Sequence, residues 1–211
     1  MSELLIRSLA GAVLIVIALL TAFLGDYYFA IFVALASVMI FYEWRRLVAG
    51  WGFGWKAAGF VYALVPALAL LWIRDRAPDG FYLLVWVFIV TWSTDIGAYF
   101  AGRAIGGPKL APAISPNKTV AGLLGGMLSA SLAGYAWVEL TRISGVLFWL
   151  APLFALAAQV GDLFESGLKR RAGVKDSGNW LPGHGGALDR LDGLVVVAAL
   201  TAAAQIAGLL R

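Results

Sequence analysis

The chain has 211 residues, of which 62% are hydrophobic and only 13% are charged. This composition lies far outside the range of soluble globular domains and indicates an integral membrane protein. The chain contains no cysteine, which excludes disulfides, thiolate metal sites and cysteine nucleophiles, and its formal net charge is a modest +4.

A bilayer core about 30 Å thick requires about 20 apolar residues per helix, so the chain is long enough for several crossings. We expect the first apolar span to be retained as a helix, because residues 21–25 lack the small-residue pattern of a signal-peptide cleavage site. The predicted fold is all-α, a polytopic transmembrane bundle of about seven helices that forms a single integral-membrane domain over residues 1–211. The predicted spans are residues 4–24, 27–42, 57–73, 81–101, 120–138, 146–164 and 191–210.

Basic residues are distributed unequally between the two sides of this predicted bundle. If the N-terminus is cytoplasmic, twelve lysines and arginines fall on that side and four on the other. The positive-inside rule then predicts that the loops near residues 102–119 and 165–190 both face the cytoplasm, where nucleotides are found.

The fifth predicted helix carries a stripe of small residues at every fourth position. Such a stripe lets a neighbouring helix approach closely. It favours helix packing inside the chain, and a homodimer interface is the alternative. The stripe consists of Gly122, Gly126, Ala130 and Gly134.

The first cluster of polar residues lies between the fourth and fifth predicted helices. Asp95 lies near the end of the fourth, and Ser115, Lys118 and Thr119 come just before the fifth. Ser115 or Thr119 is suited to capping the fifth helix, and Lys118 would then lie beside a helix N-terminus, which favours anions. Two interpretations remain open here: a phosphate-binding site, or helix capping with a lysine that reaches the lipid headgroups.

The second cluster closes the sixth predicted helix. Asp162, Glu165 and Ser166 share one helix face, and Lys169 and Arg170 continue the helix towards solvent. A single acidic residue at the end of a membrane helix is commonly interfacial. The second cluster therefore indicates a functional site only in combination with the third cluster.

The third cluster is the glycine-rich segment 182–186, which precedes the seventh predicted helix. Its glycines can supply backbone N–H groups to an anion, and His184 within it is either a structural turn residue or a catalyst. Asp189, Arg190 and Asp192 then enter the helix. Carboxylates at the adjoining ends of the sixth and seventh helices can share a Mg²⁺ ion, which prefers carboxylate, phosphate and water oxygens.

These residues also form a longer pattern. The run from Ser166 to Asp192 resembles the signature of the phosphatidate cytidylyltransferases, also called CDP-diacylglycerol synthases. The segment from Asp95 to Thr119 is similar to a second landmark of that family, so the resemblance covers residues 93–193. One departure is Val120-Ala121, where the family usually has Trp-Glu. The matching pieces of the first run are Lys169-Arg170, Lys175-Asp176, His184-Gly185-Gly186 and Leu188-Asp189-Arg190.

The resemblance implies an enzyme of a bacterial-type inner membrane, with catalytic loops on the cytoplasmic side. It implies transfer of the CMP moiety of CTP to phosphatidate, with Mg²⁺ as cofactor and a second cation as an option. The implied partners are CTP, phosphatidate and the lipid bilayer, with no nucleic acid, and a homodimer is an open alternative. Two other functions are kept as alternatives: a CTP-dependent polyprenol or phytol kinase, and a non-enzymatic anion transporter.

Within this assignment the candidate site residues divide into three groups. The predicted metal ligands are Asp162, Asp189 and Asp192. The predicted catalytic residues are Lys118, Lys175, His184 and Arg190. The predicted substrate-binding residues are Asp95, Ser115, Thr119, Ser166, Lys169, Arg170, Gly185 and Gly186.

Overall fold

The computed structural model of the chain describes residues 3–178, 180 and 185–210. Within these residues it has seven α-helices, and α2 to α6 are long and apolar enough to cross a bilayer. The chain is therefore a multi-pass membrane protein, and the predicted all-α bundle is confirmed. The helices are α1 (Glu3–Leu24), α2 (Asp26–Leu47), α3 (Phe53–Arg74), α4 (Gly80–Ile105), α5 (Val120–Thr141), α6 (Val146–Arg171) and α7 (Leu188–Ile206).

Several helices continue beyond their apolar spans into polar sequence. α6 extends to Arg171, because no proline interrupts its last turns and Gly173, with φ of 72°, follows its end. α2 likewise continues to Leu47. Both helices thus carry charged side chains at the same end of the bundle, where α2 contacts the beginning of α7.

A short antiparallel strand pair fills part of the connection between α4 and α5, where the sequence predicted a loop. β1 (Lys109–Ala111) pairs with β2 (Ser115–Thr119), with Lys109 opposite Thr119. The Thr119 hydroxyl accepts a hydrogen bond of 3.0 Å from the backbone N–H of Gly122, which confirms Thr119 as the N-cap of α5. The hairpin therefore leads directly into a capped helix.

The stripe of small residues on α5 is buried inside the chain's own bundle. A Cβ at Gly126 would lie 2.8 Å from the backbone oxygen of Thr94 on α4, and a Cβ at Gly122 would lie 3.0 Å from that of Ala98. Only glycine allows α4 and α5 to approach this closely. Internal packing is thus confirmed for the stripe, and a homodimer stays a prediction.

The buried apolar side chains form two clusters. The larger one surrounds Trp86 of α4 and includes Leu147 and Phe154 of α6. The smaller one joins Trp44 of α2 to Leu168 of α6 and Leu188 of α7. This second cluster packs together the helix ends that carry the charged residues, and so fixes their relative positions.

Candidate active site

One cavity of about 1320 Å³ opens between the helices. One part of its wall is charged and includes Asp95, Lys118 and Asp192, while another part is apolar and is formed largely by α1, α2 and α3. Leu14 of α1 and Phe32 of α2 belong to the apolar part. The cavity therefore offers both an environment for an ionic group and an environment for hydrocarbon.

The last turns of α6 supply one side of the charged part. Asp162, Glu165, Ser166 and Lys169 follow one another at helical spacing, and the last three are buried. The Ser166 hydroxyl donates a hydrogen bond of 3.2 Å to Oδ1 of Asp162. The shared face predicted for Asp162, Glu165 and Ser166 is thus present. The expectation that Lys169 leads towards solvent is wrong, because its ammonium group is buried between Glu165 and Asp189.

Three carboxylates come together where α6 meets α7. Oxygen atoms of Asp162, Glu165 and Asp192 lie within 4.8 Å of one another. Glu165 is 1% exposed, and Nζ of Lys169 lies 2.8 Å from its Oε2, whereas its Oε1 accepts no hydrogen bond from the described residues. A concentration of buried negative charge of this kind needs positive charge beside it.

Lys118 supplies one of these positive charges. Its Nζ lies 2.6 Å from Oδ2 of Asp162 and 3.4 Å from the backbone oxygen of Gln159. Lys118 belongs to β2, so the hairpin places the positively charged side chain of Lys118 beside the carboxylate cluster. The structure therefore joins the first and second polar clusters of the sequence at one site.

Asp189 has a different environment from the other two predicted metal ligands. Its Oδ1 lies 2.6 Å from Nζ of Lys169, and its Oδ2 accepts hydrogen bonds from the backbone N–H groups of Ser177 and Gly186 at 2.9 and 2.8 Å. Burial acts to raise the pKa of Asp189, but Lys169 and the two backbone donors outweigh burial and hold that pKa below its ordinary value. Asp189 is thus a stably ionised anchor of the segment before α7, and its role as a metal ligand stays a prediction.

The remaining predicted residues are distributed around this centre. Asp95, Thr119 and Arg190 line the cavity. Arg170 donates hydrogen bonds to the backbone oxygens of Ile114 and Val174, so it ties the hairpin to the end of α6. Ser115 begins β2 and is partly exposed.

Four further predicted residues belong to the segment between α6 and α7, and the structure describes three of them. Lys175 is exposed in this segment. Gly185 has φ of 80°, a conformation that favours glycine, and Gly186 is buried against Asp189. His184 lies outside the described residues.

Two acidic residues at this site were not assigned a role from the sequence. Glu165 was recognised as part of the α6 face, but its inclusion in the carboxylate cluster depends on where α7 packs. Glu43 of α2 is completely buried and accepts hydrogen bonds from Ser177, Ala187 and Leu188. No local sequence signal could have indicated contacts over such separations, which exceed 130 residues for each of the three.

Comparisons with known proteins identify the family of the chain. The sequence model of the cytidylyltransferase family matches residues 50–206. The chain is 49% identical over 172 residues to a phosphatidate cytidylyltransferase of Brucella suis, covering 80% of this chain and 61% of that protein. It is 41% identical over 133 residues to a phosphatidate cytidylyltransferase of Staphylococcus aureus, covering 62% of this chain and 51% of that protein. The chain thus spans about half to three fifths of the length of these relatives.

Proposed function

This chain belongs to the cytidylyltransferase family, and we propose that it transfers the CMP moiety of CTP to phosphatidate, giving CDP-diacylglycerol and pyrophosphate. The single observation that carries this proposal is the cavity whose wall changes from charged to apolar. A substrate with a phosphate headgroup and two acyl chains needs both kinds of wall in one continuous space. The names of the Brucella and Staphylococcus relatives point to the same reaction.

A divalent cation fits the residues of the charged part. Octahedral Mg²⁺ holds its oxygen ligands at about 2.1 Å, and therefore up to about 4.2 Å from one another. The oxygens of Asp162, Glu165 and Asp192 need only a small contraction from their separations of up to 4.8 Å to reach this range. Oε1 of Glu165 accepts no hydrogen bond from the described residues, and this supports the same assignment, because a buried carboxylate oxygen requires a partner.

Mg²⁺ bound by these carboxylates would neutralise phosphate charge during the transfer. In the proposed reaction, an oxygen of the phosphatidate phosphate forms a bond to the α-phosphorus of CTP, and the bond from that phosphorus to pyrophosphate breaks. A phosphate monoester has its second pKa near 6 and is already anionic at neutral pH, so the protein need not supply a strong base.

The contribution of the protein is then alignment and positive charge. Lys118 and Arg190 line the cavity and are suited to holding phosphate oxygens, and Lys175 is exposed on the adjoining segment. Lys118 is held in place by Asp162, so its ammonium group is fixed before any ligand enters. Such fixed charges act without reorganisation when the pyrophosphate develops its negative charge.

We further propose that the site faces the cytoplasm of a bacterial-type inner membrane. The excess of lysine and arginine on the side that includes the 102–119 and 165–190 segments supports this orientation. The cytoplasm is also where CTP is available. The diacylglycerol tails would occupy the apolar part of the cavity or the adjoining bilayer.

The proposal is tested by incubating the purified protein with phosphatidate, Mg²⁺ and CTP labelled at the α-phosphorus. Thin-layer chromatography should show the label in a lipid that migrates with CDP-diacylglycerol. CTP labelled at the γ-phosphorus should leave the lipid unlabelled. A lipid kinase would reverse the two results, and a transporter would consume no CTP, so either result would reject the proposal.

A matched pair of variants ties the activity to the carboxylate cluster. Asp162→Asn removes one charge from the cluster and should lower turnover about 100-fold or more. Asp79→Asn makes the same chemical change at an exposed residue before α4, whose side chain makes no capping hydrogen bond, and should leave turnover unchanged. Equal activities of the two variants would remove Asp162 from the site.

A further inference from the structure

Glu43 is a carboxylate with a completely buried side chain at the end of α2. Its oxygens accept hydrogen bonds from the backbone N–H groups of Ala187 and Leu188 at 3.0 and 2.8 Å. The hydroxyl of Ser177 lies 2.8 Å from Oε2 of the same carboxylate. All three donors belong to the segment that enters α7, so one side chain of α2 holds this segment at several points.

Two glycines show how closely the segment surrounds this carboxylate. A Cβ added at Gly178 or at Gly186 would overlap the carboxylate of Glu43. The backbone can therefore close on Glu43 only where it carries no side chain. Glu43 also lies before residue 50, where the match to the family model begins.

Glu43 also supplies what α7 lacks at its own N-terminus. Ala187 precedes the helix and makes no side-chain capping hydrogen bond. The first N–H groups of a helix need acceptors, and negative charge is stabilising at this end of the helix dipole. Glu43 supplies the acceptor from another helix, and its carboxylate adds to the negative charge of Asp189 in the first turn of α7.

The segment held by Glu43 leads directly to the charged part of the cavity. Ser177 contacts Glu43 and also lies 2.9 Å from Oδ2 of Asp189. Asp189 and Asp192 occupy the first turns of α7. They come immediately after the two residues whose backbone N–H groups donate hydrogen bonds to Glu43. A shift at the beginning of α7 would therefore move the carboxylate of Asp192 relative to Asp162 and Glu165.

We propose that Glu43 is a positioning residue for the transfer reaction, which acts through the N-terminus of α7 and Ser177 and does not touch substrate. The inference rests on the proposed function, because it assigns Glu43 to the geometry of that same site. It predicts two separable effects of removing the charge of Glu43. The backbone N–H groups of residues 187 and 188 should exchange faster with solvent, and half-maximal turnover should require a higher concentration of Mg²⁺.

The test compares Glu43→Gln with Glu139→Gln. The second variant makes the same chemical change on α5, where Glu139 is half-exposed and pairs with Arg142. Hydrogen exchange of the amides of Ala187 and Leu188, followed by mass spectrometry in detergent, should accelerate about tenfold or more in Glu43→Gln, because the new amide group cannot accept at both of its atoms. The Mg²⁺ concentration for half-maximal turnover should rise about tenfold or more. Glu139→Gln should change neither quantity.

Ser177→Ala is the second variant, in case Glu43→Gln yields too little folded protein. It removes one of the three donors and should shift both quantities in the same direction by a smaller factor. Wild-type exchange rates together with an unchanged Mg²⁺ requirement, in whichever variant folds, would overturn the positioning role. The exchange measurement needs no turnover, so a wild-type protein that makes no CDP-diacylglycerol would count against the proposed function and not against the contacts of Glu43.

Discussion

Lys169 shows how one side chain can organise several acidic residues. Its Nζ lies between Oε2 of Glu165 and Oδ1 of Asp189, at 2.8 and 2.6 Å. The carboxylates come from α6 and α7, so the lysine joins the two helices through charge. A buried lysine of this kind is stable only while its carboxylate partners remain.

The variant Asp189→Asn tests this arrangement at the level of single residues. Removing one partner of a buried ion pair costs about 3–5 kcal/mol, so we expect lower thermal stability in detergent and a loss of turnover of about 100-fold. The Mg²⁺ requirement of the residual activity then identifies the role of Asp189. A rise well above that in Glu43→Gln supports its predicted role as a metal ligand, and a rise no larger than that in Glu43→Gln supports an anchoring role.

The control for this measurement is Asp75→Asn, at an exposed residue that follows α3. It removes one acidic charge without touching Lys169. Turnover and stability of Asp189→Asn equal to those of this control would contradict the ion-pair argument altogether.

The sequence predicted single residues well where their partners are close in the chain. Helical spacing alone indicated that Asp162, Glu165 and Ser166 share a face, and the position of Thr119 before α5 made it one of two candidate caps. Glu43 was not predicted, because it ends an apolar span and resembles an ordinary interfacial residue. Its partners depend on the packing of α2 against α7, which no local pattern reports.

For whole helices and strands, too, the sequence predicted the features that depend on a local pattern and missed the others. Apolar runs of about 20 residues predicted all seven helices, because a bilayer requires that length. Helix ends were less predictable, since α6 continues through polar residues to Arg171. The strand pair at Lys109–Ala111 and Ser115–Thr119 was missed, because its strands are too short for a periodic pattern.

The close packing of α4 against α5 predicts that a larger residue at their contact destabilises the protein. A Cβ at Gly125 would overlap Ala101 and lie 3.0 Å from the backbone oxygen of Gly97, both on α4. Alanine normally favours a helix over glycine by about 1 kcal/mol. At Gly125 the overlap should outweigh this preference, and Gly125→Ala should destabilise the protein by about 1–3 kcal/mol.

The measurement is the midpoint of thermal unfolding in detergent, which should fall by about 2–4 °C for each kcal/mol in a chain of this size. Gly54→Ala is the matched control, because Gly54 lies in the first turn of α3 and a Cβ there meets nothing within 4 Å. A midpoint for Gly125→Ala at or above that of Gly54→Ala would mean that α4 and α5 do not pack this closely.

For the whole molecule, the helix ends divide into two sets. Glu43 at the end of α2 contacts the beginning of α7, so these ends lie on the same side as the carboxylate cluster. Arg74 at the end of α3 donates hydrogen bonds to backbone oxygens of Ala22 and Phe23 at the end of α1, on the other side. This alternation agrees with the topology predicted from the distribution of lysine and arginine.

The absence of cysteine allows this topology to be measured directly, because each introduced cysteine is the only one in the chain. Ala49 follows α2 on the side of the carboxylate cluster, Asp75 follows α3 on the other side, and both are exposed. In spheroplasts, a membrane-impermeant maleimide should label Asp75→Cys, and should label Ala49→Cys only after the membrane is permeabilised. Both variants must react in detergent for the comparison to count. Labelling of Ala49→Cys from outside, with Asp75→Cys protected, would put the carboxylate cluster on the face opposite the cytoplasm, where it would have no access to CTP.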